Sequence, residues 1–217
     1  MISIAEIMGR VNTQLKDTAW LRWPLAELCD YYNDAVRAVI LARPDAGANS
    51  EILTATPGTR QVLPEGAIRL IDLIRVVGGR ALRPVPREVL DSQYPDWHQM
   101  TGSVECYSYN ELTPNLYYLF PGAPQSMGIE AVVARVPAAV AIDDLAEVTP
   151  VPLDALYVNP LVDWILFRAF SKDGEAGANL NLAMQHYHAF SDQLGVKQNA
   201  ERFARQWRKA QYQGGGE

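Results

Sequence analysis

Apolar residues recur every three or four positions near both ends of the chain and crowd into short runs between them, which predicts helical ends and a strand-rich middle. Near the start, Ile4, Ile7, Met8, Val11 and Leu15 make one stripe. Ser3 and Glu6 before it have capping-box spacing, in which hydroxyl and carboxylate each satisfy an amide that the first helical turn leaves free. A second stripe, Leu25, Leu28, Cys29, Tyr32, Ala35, Val36, Val39 and Ile40, begins with Pro24 at the expected first helical position and stops before Pro44. Together they predict an αα-hairpin. After Pro152, the positions Leu156, Pro160, Trp164, Phe167 and Phe170 predict a largely buried helix whose first turns Pro160 breaks or kinks. An Asp173-Gly174 turn then leads to a helix through Leu180, Ala183, Met184, Tyr187, Phe190 and Leu194, with Gly195 as its left-handed cap. Asn199 is placed to cap a last helix from Ala200 to about Tyr212.

Between these ends, prolines and glycines punctuate runs rich in Val, Ile, Leu and Tyr, the pattern of strands and turns. The strand candidates are Ile52 to Ala55, Arg60 to Leu63, Ile68 to Val77, Arg80 to Val85, Glu105 to Tyr109, Leu116 to Phe120 and Met127 to Val136. Gly78-Gly79 predicts a two-residue hairpin between two of them, because glycine accepts positive φ without steric cost. Pro86 to Leu90 reads as one helical turn and Asp91 to Ser103 as loop. The expected fold class is α+β: residues 1–48 and 149–217 form an α-helical bundle, and residues 49–148 form an antiparallel β-rich domain inserted into it. No internal repeat or low-complexity segment stands out.

Composition narrows the function classes more than it names one. With 217 residues, 48% of them hydrophobic and 20% charged, the chain has the profile of an ordinary globular protein. A net charge of −6 lacks the excess of Lys and Arg that a general nucleic-acid binder needs. Glu6, Arg10, Lys16 and Asp17 interrupt the first twenty residues, so no signal peptide is expected there and the protein is expected to be made in a cytosol. The longest nearly apolar run, Ala131 to Ile142, contains Arg135 and Pro137 and is too short for a membrane helix. Cys29 and Cys106 have no metal or disulfide spacing and read as small apolar fillers.

Catalytic chemistry finds little to rest on. There is no phosphate-binding loop, dinucleotide fingerprint, HExxH motif or nucleophile elbow. His186 and His188 are two apart on a predicted helix and point in different directions, so they cannot share a metal. His98, beside Trp97, reads as a packing or solvated histidine. Asp143, Asp144 and Glu147 read as a solvated acidic connection, and the run Tyr107, Tyr109, Tyr117, Tyr118 and Phe120 as cross-strand core and subunit contact. No catalytic, cofactor-binding or metal residue is therefore assigned.

The charge is unevenly placed. Residues 196–213 carry Lys197, Arg202, Arg205, Arg208 and Lys209 against Glu201 alone, a local +4, so the rest of the chain carries −10. Arg202, Arg205, Arg208 and Lys209 recur at helical spacing, with Phe203 and Trp207 four apart. This segment reads as a docking arm that lays Phe203 and Trp207 on a partner and offers its cations to an acidic surface, either another subunit or a portal-like ring.

Short motifs along the chain resemble a family of tailed-bacteriophage head-to-tail adaptor proteins. They are Trp23, Arg43-Pro44-Asp45, Gly58-Thr59-Arg60-Gln61 ahead of Leu63-Pro64, and Pro95-Asp96-Trp97, followed by Tyr157, Asn159-Pro160-Leu161, Arg168-Ala169-Phe170-Ser171-Lys172-Asp173 and Leu194-Gly195. The layout is also similar, more distantly, to the tail tubular A adaptors of short-tailed phages. The resemblance implies a structural virion protein of the neck, a ring of identical subunits, commonly dodecameric, below the portal protein. Such a ring continues the DNA channel towards a tail or nozzle protein, without specific DNA binding, cofactor or membrane. Two competing readings are a small carbohydrate-cleaving enzyme using Asp96, Asp143 or Asp144, and another neck or tail completion protein.

Overall fold

A computed structural model describes residues 2–146, 149–172 and 179–195. The chain divides into two compact units, residues 44–137 and the parts that precede and follow them. The architecture is α+β, with helices from both ends of the chain and antiparallel sheets between.

In the first unit, α1 (Ile4–Leu15) opens with the capping box: the Ser3 amide donates to Glu6 Oε2 at 2.8 Å and the Glu6 amide to Ser3 Oγ at 3.2 Å. Lys16, at φ 57°, ends the helix, and the Asp17 carboxylate then accepts the backbone amides of Leu21, Arg22 and Trp23. That loop delivers Trp23, whose indole donates to Ala169 O at 3.0 Å. The second helix, α2 (Leu25–Ala42), buries Leu28, Cys29, Tyr32, Ala35, Val36, Val39 and Ile40, with Pro24 as its N-cap, one position earlier than expected. Two bonds from the Asn33 amide side chain clamp the backbone of Val140, and the Ile4 amide donates to Thr149 O.

A 3₁₀ turn, Ala155–Tyr157, leads into α4 (Val158–Lys172), and Pro160 lies in its first turn, where its missing N–H removes no helical bond, so the helix is continuous. The aromatic stripe expected for this helix is not its deepest face. Val158, Leu161, Val162, Ile165, Leu166 and Ala169 are buried, and Leu156 is exposed. Trp164, Phe167 and Phe170 instead meet Phe190, Tyr187 and His186 of α5 (179–195). Gly195 is still helical and has no positive φ, so it is not the left-handed cap. The Asp173-Gly174 turn, Glu147 and everything from Val196 onward lie outside the described residues.

In the second unit, strands β1 (Ala48–Ala55), β7 (Met127–Arg135) and β3 (Ala67–Val76) form one sheet in that order. Strands β2 (Gly58–Val62), β6 (Leu116–Ala123), β5 (Cys106–Tyr109) and the two-residue β4 (Arg83–Pro84) form the other. Leu53, Leu70, Leu73, Ile129, Ala131 and Val133 from the first sheet and Tyr107, Tyr117 and Leu119 from the second share one core. All pairings are antiparallel except β4 with β5.

Two local expectations change here. Gly78, at φ 72°, does turn the chain, but the ladder beyond it is a single bridge, Arg75 to Ala81, because the outgoing strand crosses to pair with β5. The segment Asp91–Ser103, expected to be loop, contains the end of α3 (Arg87–Gln93) and a 3₁₀ turn that buries Trp97. The indole donates to Asp91 Oδ1 at 2.9 Å, His98 stacks on it at 3.7 Å, and His98 Nδ1 lies 2.9 Å from Thr59 Oγ1.

Candidate functional site

The most unusual surface of the second unit is built by β3. Its register against β7 skips Ile68, Ile71 and Ile74, so the strand carries three successive bulges, each with an isoleucine as the extra residue. A bulge advances the pattern by one residue, which converts the two-residue alternation of a strand into a three-residue repeat. The sequence obeys that repeat: Ile68-Arg69-Leu70, Ile71-Asp72-Leu73, Ile74-Arg75-Val76. Leu70 and Leu73 are buried in the core, whereas Ile68, Ile71 and Ile74 are 37–39% exposed, with Val77 continuing the row. The charged members of each triplet are satisfied within the unit: Arg69 pairs with Glu111, Arg75 with Glu130, and Asp72 accepts from the Tyr107 hydroxyl at 2.7 Å. The repeat is present in the sequence as a period of three, which the two-residue alternation of a regular strand does not reveal.

The aromatic run divides around this strand. Tyr107 and Tyr117 point into the core, and burial raises both phenols, Tyr117 to about 12. Burial also raises Tyr109, although less deeply placed; the backbone amide of Leu70 acts in the opposite sense on it, as that of Leu73 does on Tyr107. Two amides of the bulged edge strand thus face tyrosine hydroxyls of β5. An edge that is bulged and partly occupied in this way is poor ground for strand addition and offers side chains instead. Tyr118 and Phe120 point to the other face of their sheet, where Trp97 packs edge-on to both.

The candidate carboxylates are divided between the two units. Asp96 belongs to the second unit, and Asp143 and Asp144 to the first. Asp144 accepts from the Ala141 amide at 2.8 Å, closing a local turn. No group of His, Cys, Asp and Glu among the described residues has metal-binding geometry. His186 is committed to Asp163 at 2.8 Å and stacks on Phe170. Cys29 is buried and Cys106 half-buried, and burial pushes both thiols up, away from the reactive thiolate. No helix among the described residues is long and apolar enough to cross a membrane.

What these surfaces lack in convergent chemistry, the whole-chain comparison supplies as identity: the SU10 adaptor protein family model matches residues 2–210. The chain belongs to that family. No curated protein matches it. SU10 adaptor proteins are structural bacteriophage proteins, so the resemblance seen in the ordered motifs is correct at family level. Two of those motifs hold the sheet unit together. Gln61 of Gly58–Gln61 is buried and locks the β1–β2 turn through the amide and carbonyl of Thr56 and the carbonyl of Gly58, and Trp97 of Pro95-Asp96-Trp97 is buried against Tyr118 and Phe120 of β6. The proposed partner-binding residues Arg202, Phe203, Arg205, Trp207, Arg208 and Lys209 lie outside the described residues.

Proposed function

We propose that this adaptor forms the head-to-tail connection of a virion as a closed ring, dodecameric by the family resemblance, below the portal protein. Its lumen continues the DNA channel, and its far side receives the tail or nozzle protein. Family membership over residues 2–210 carries this reading. A ring of identical subunits closes through heterologous contacts, so each subunit needs two different, complementary surfaces. The charge division supports the conduit: an acidic body of −10 repels phosphate, and DNA passes without being held. The +4 segment 196–213 serves as the arm that grips an acidic surface of the portal or of a neighbouring subunit, through Arg202, Arg205, Arg208 and Lys209.

The test is assembly. Purified portal and adaptor should co-migrate as one large particle whose mass gives the ring stoichiometry, and virions lacking the adaptor should package DNA but leak it or remain tailless. Independent migration together with normal tailed virions in its absence would overturn the proposal. Deleting residues 197–217 should weaken ring formation or portal docking and leave the remaining protein folded; unchanged assembly by mass photometry would remove the arm from the mechanism.

A further inference from the structure

Four strands of the sheet unit lie at sheet edges, β1 and β3 in one sheet and β2 and β4 in the other. An edge strand exposes amides and carbonyls that template pairing with another chain, and folded proteins blunt it with bulges, prolines, charges or brevity. Three of the four are blunted. Three bulges break β3; β2 has five residues, a register shift after Gly58 and the exposed Arg60; and β4 is two residues long and ends in Pro84. The fourth, β1, is not. Its eight residues keep one unbroken register against β7, from Ala48–Ala134 to Ala55–Met127. It contains no Pro, Lys or Arg, and the carboxylate of its one charged residue, Glu51, is clasped by Arg135.

One bond fixes which groups of β1 face outward. The Val77 amide donates to Gly128 O at 2.9 Å, so the even-numbered residues of β7 turn their backbone groups toward β3 and the odd-numbered ones toward β1. By the β1–β7 register, Asn49, Glu51, Leu53 and Ala55 therefore bond β7, and Ser50, Ile52 and Thr54 turn their amides and carbonyls to the open edge. Among the described residues, no backbone bond outside the β7 ladder reaches Ala48–Ala55. Ser50, Ile52 and Thr54 are exposed, Ile52 at 65%, whereas Leu53 and Ala55 are buried. The strand is also complementary to itself. Antiparallel pairing of two β1 edges about a twofold axis at Ile52 sets Ile52 opposite Ile52 and Ser50 opposite Thr54, apolar with apolar and hydroxyl with hydroxyl. Each facing pair then exchanges two backbone bonds. Neighbouring registers are worse. An axis at Glu51 sets two carboxylates directly opposite, and an axis at Leu53 needs the Thr56 amide, which already donates to Gln61 Oε1 at 2.8 Å.

We infer that the free adaptor is a twofold dimer joined edge to edge through β1, so that two three-stranded sheets run on as one of six strands. The occupant of the open edge is a second copy of this chain, and Ile52 is the residue at the axis. A twofold contact is isologous, so it is separate from the heterologous contacts of the ring proposed above and does not rest on them.

Sedimentation velocity of the full chain without portal tests it. At about 100 μM, where so small a contact is populated, the parent should sediment as a dimer and dissociate on dilution. Ile52→Lys should be monomeric at that concentration. So should Ser50→Pro, which removes an outward amide and leaves the β7 ladder whole. Val62→Lys, on β2 and 58% exposed in the parent, should remain dimeric, and circular dichroism should show all three variants folded. In a Cys106→Ser background, a short bis-maleimide should bridge two chains of Ile52→Cys at least about tenfold faster than two of Val62→Cys, because the axis brings the two Cα atoms of residue 52 to about 5.5 Å. A parent that stays monomeric, an oligomer indifferent to both edge variants, or equal bridging at the two positions would each overturn the inference. A monomeric parent whose portal binding is lost in Ile52→Lys would assign the edge to the portal and overturn it as well. A free dimer that behaves as expected but never co-migrates with portal would remove the ring and leave this contact in place.

Discussion

The helical unit and the sheet unit are stabilised in different ways. In the first, long apolar faces bury against one another, and polar side chains cap a helix, close a loop or tie a connecting segment to a helix, as Ser3, Asp17 and Asn33 do in turn. In the second, polar side chains tie strands and turns together. Buried Gln61 substitutes for backbone partners in a turn, Arg135 clasps Glu51 through two bonds and reaches the Glu65 carbonyl, and Asp72 and Tyr107 bond alongside a bulged edge. A helix satisfies its own amides and asks its side chains only for volume, whereas an irregular sheet leaves amides and carbonyls that particular side chains must satisfy. The helical unit should therefore be sensitive to lost volume and the sheet unit to lost hydrogen bonds.

The sharpest test is Leu161→Ala, which empties a fully buried site at the centre of the helical unit and should cost about 2–5 kcal/mol by chemical denaturation. If helical ellipticity and a sheet-unit probe such as Trp97 fluorescence shift together, the two units unfold as one and the contrast between them is weaker than drawn. In the sheet unit, Gln61→Leu keeps most of the volume but orphans the Thr56 amide and two carbonyls, an expected loss of about 1–3 kcal/mol. Equal stability of this variant and the parent would show that volume, not bonding, governs there too. Ser3→Ala removes an N-cap and should cost about 1 kcal/mol, visible as faster hydrogen exchange in the first turn of α1.

A smaller effect is expected from acid. The amide of Trp23, with those of Arg22 and Leu21 and the charge of Arg22, holds the Asp17 carboxyl below its usual 3.8. Its contribution to stability is present above that unperturbed value and is lost as the pH falls through the lower folded one. Asp17→Asn should flatten the dependence of Tm on pH below about 4, the ordinary range of a free carboxyl; an unchanged slope would mean that the loop bonds do not couple to folding. Tyr32→Phe should do least. The hydroxyl is buried with no hydrogen-bond partner among the described residues, so its removal should change stability by no more than about 0.5 kcal/mol, and a large loss would reveal a polar contact inside the helical unit.

How much could be read beforehand follows the same division. The capping box, the stripe of α2 and the stop before Pro44 depend on neighbours three or four residues away, and these features stand as expected. The Gly78 turn was also local, and its reversal of the chain is real. Whether the next strand then pairs with β3 or crosses to β5 depends on residues more than twenty positions further on, and the turn carries no information about that choice. Trp97 sits among polar neighbours in sequence, and only the sheet behind it makes the segment a buried one. As to the candidate site, the triplet Ile-Arg/Asp-Leu/Val was written in the chain, but its meaning, an edge strand bulged three times, needs the partner strand to define which residues are extra.

Composition, periodicity and motif order by themselves determined the class of fold, the helices α1 and α2, the family and the uneven charge that leaves +4 on residues 196–213, because each depends on residue type or local spacing. Tertiary structure alone decided which strands pair, which face of α4 is deepest, that Gln61 and Trp97 are buried, and that the β1 edge is open among the described residues. Those outcomes depend on which distant segments arrive at the same place, and the free energy of burial is settled only there.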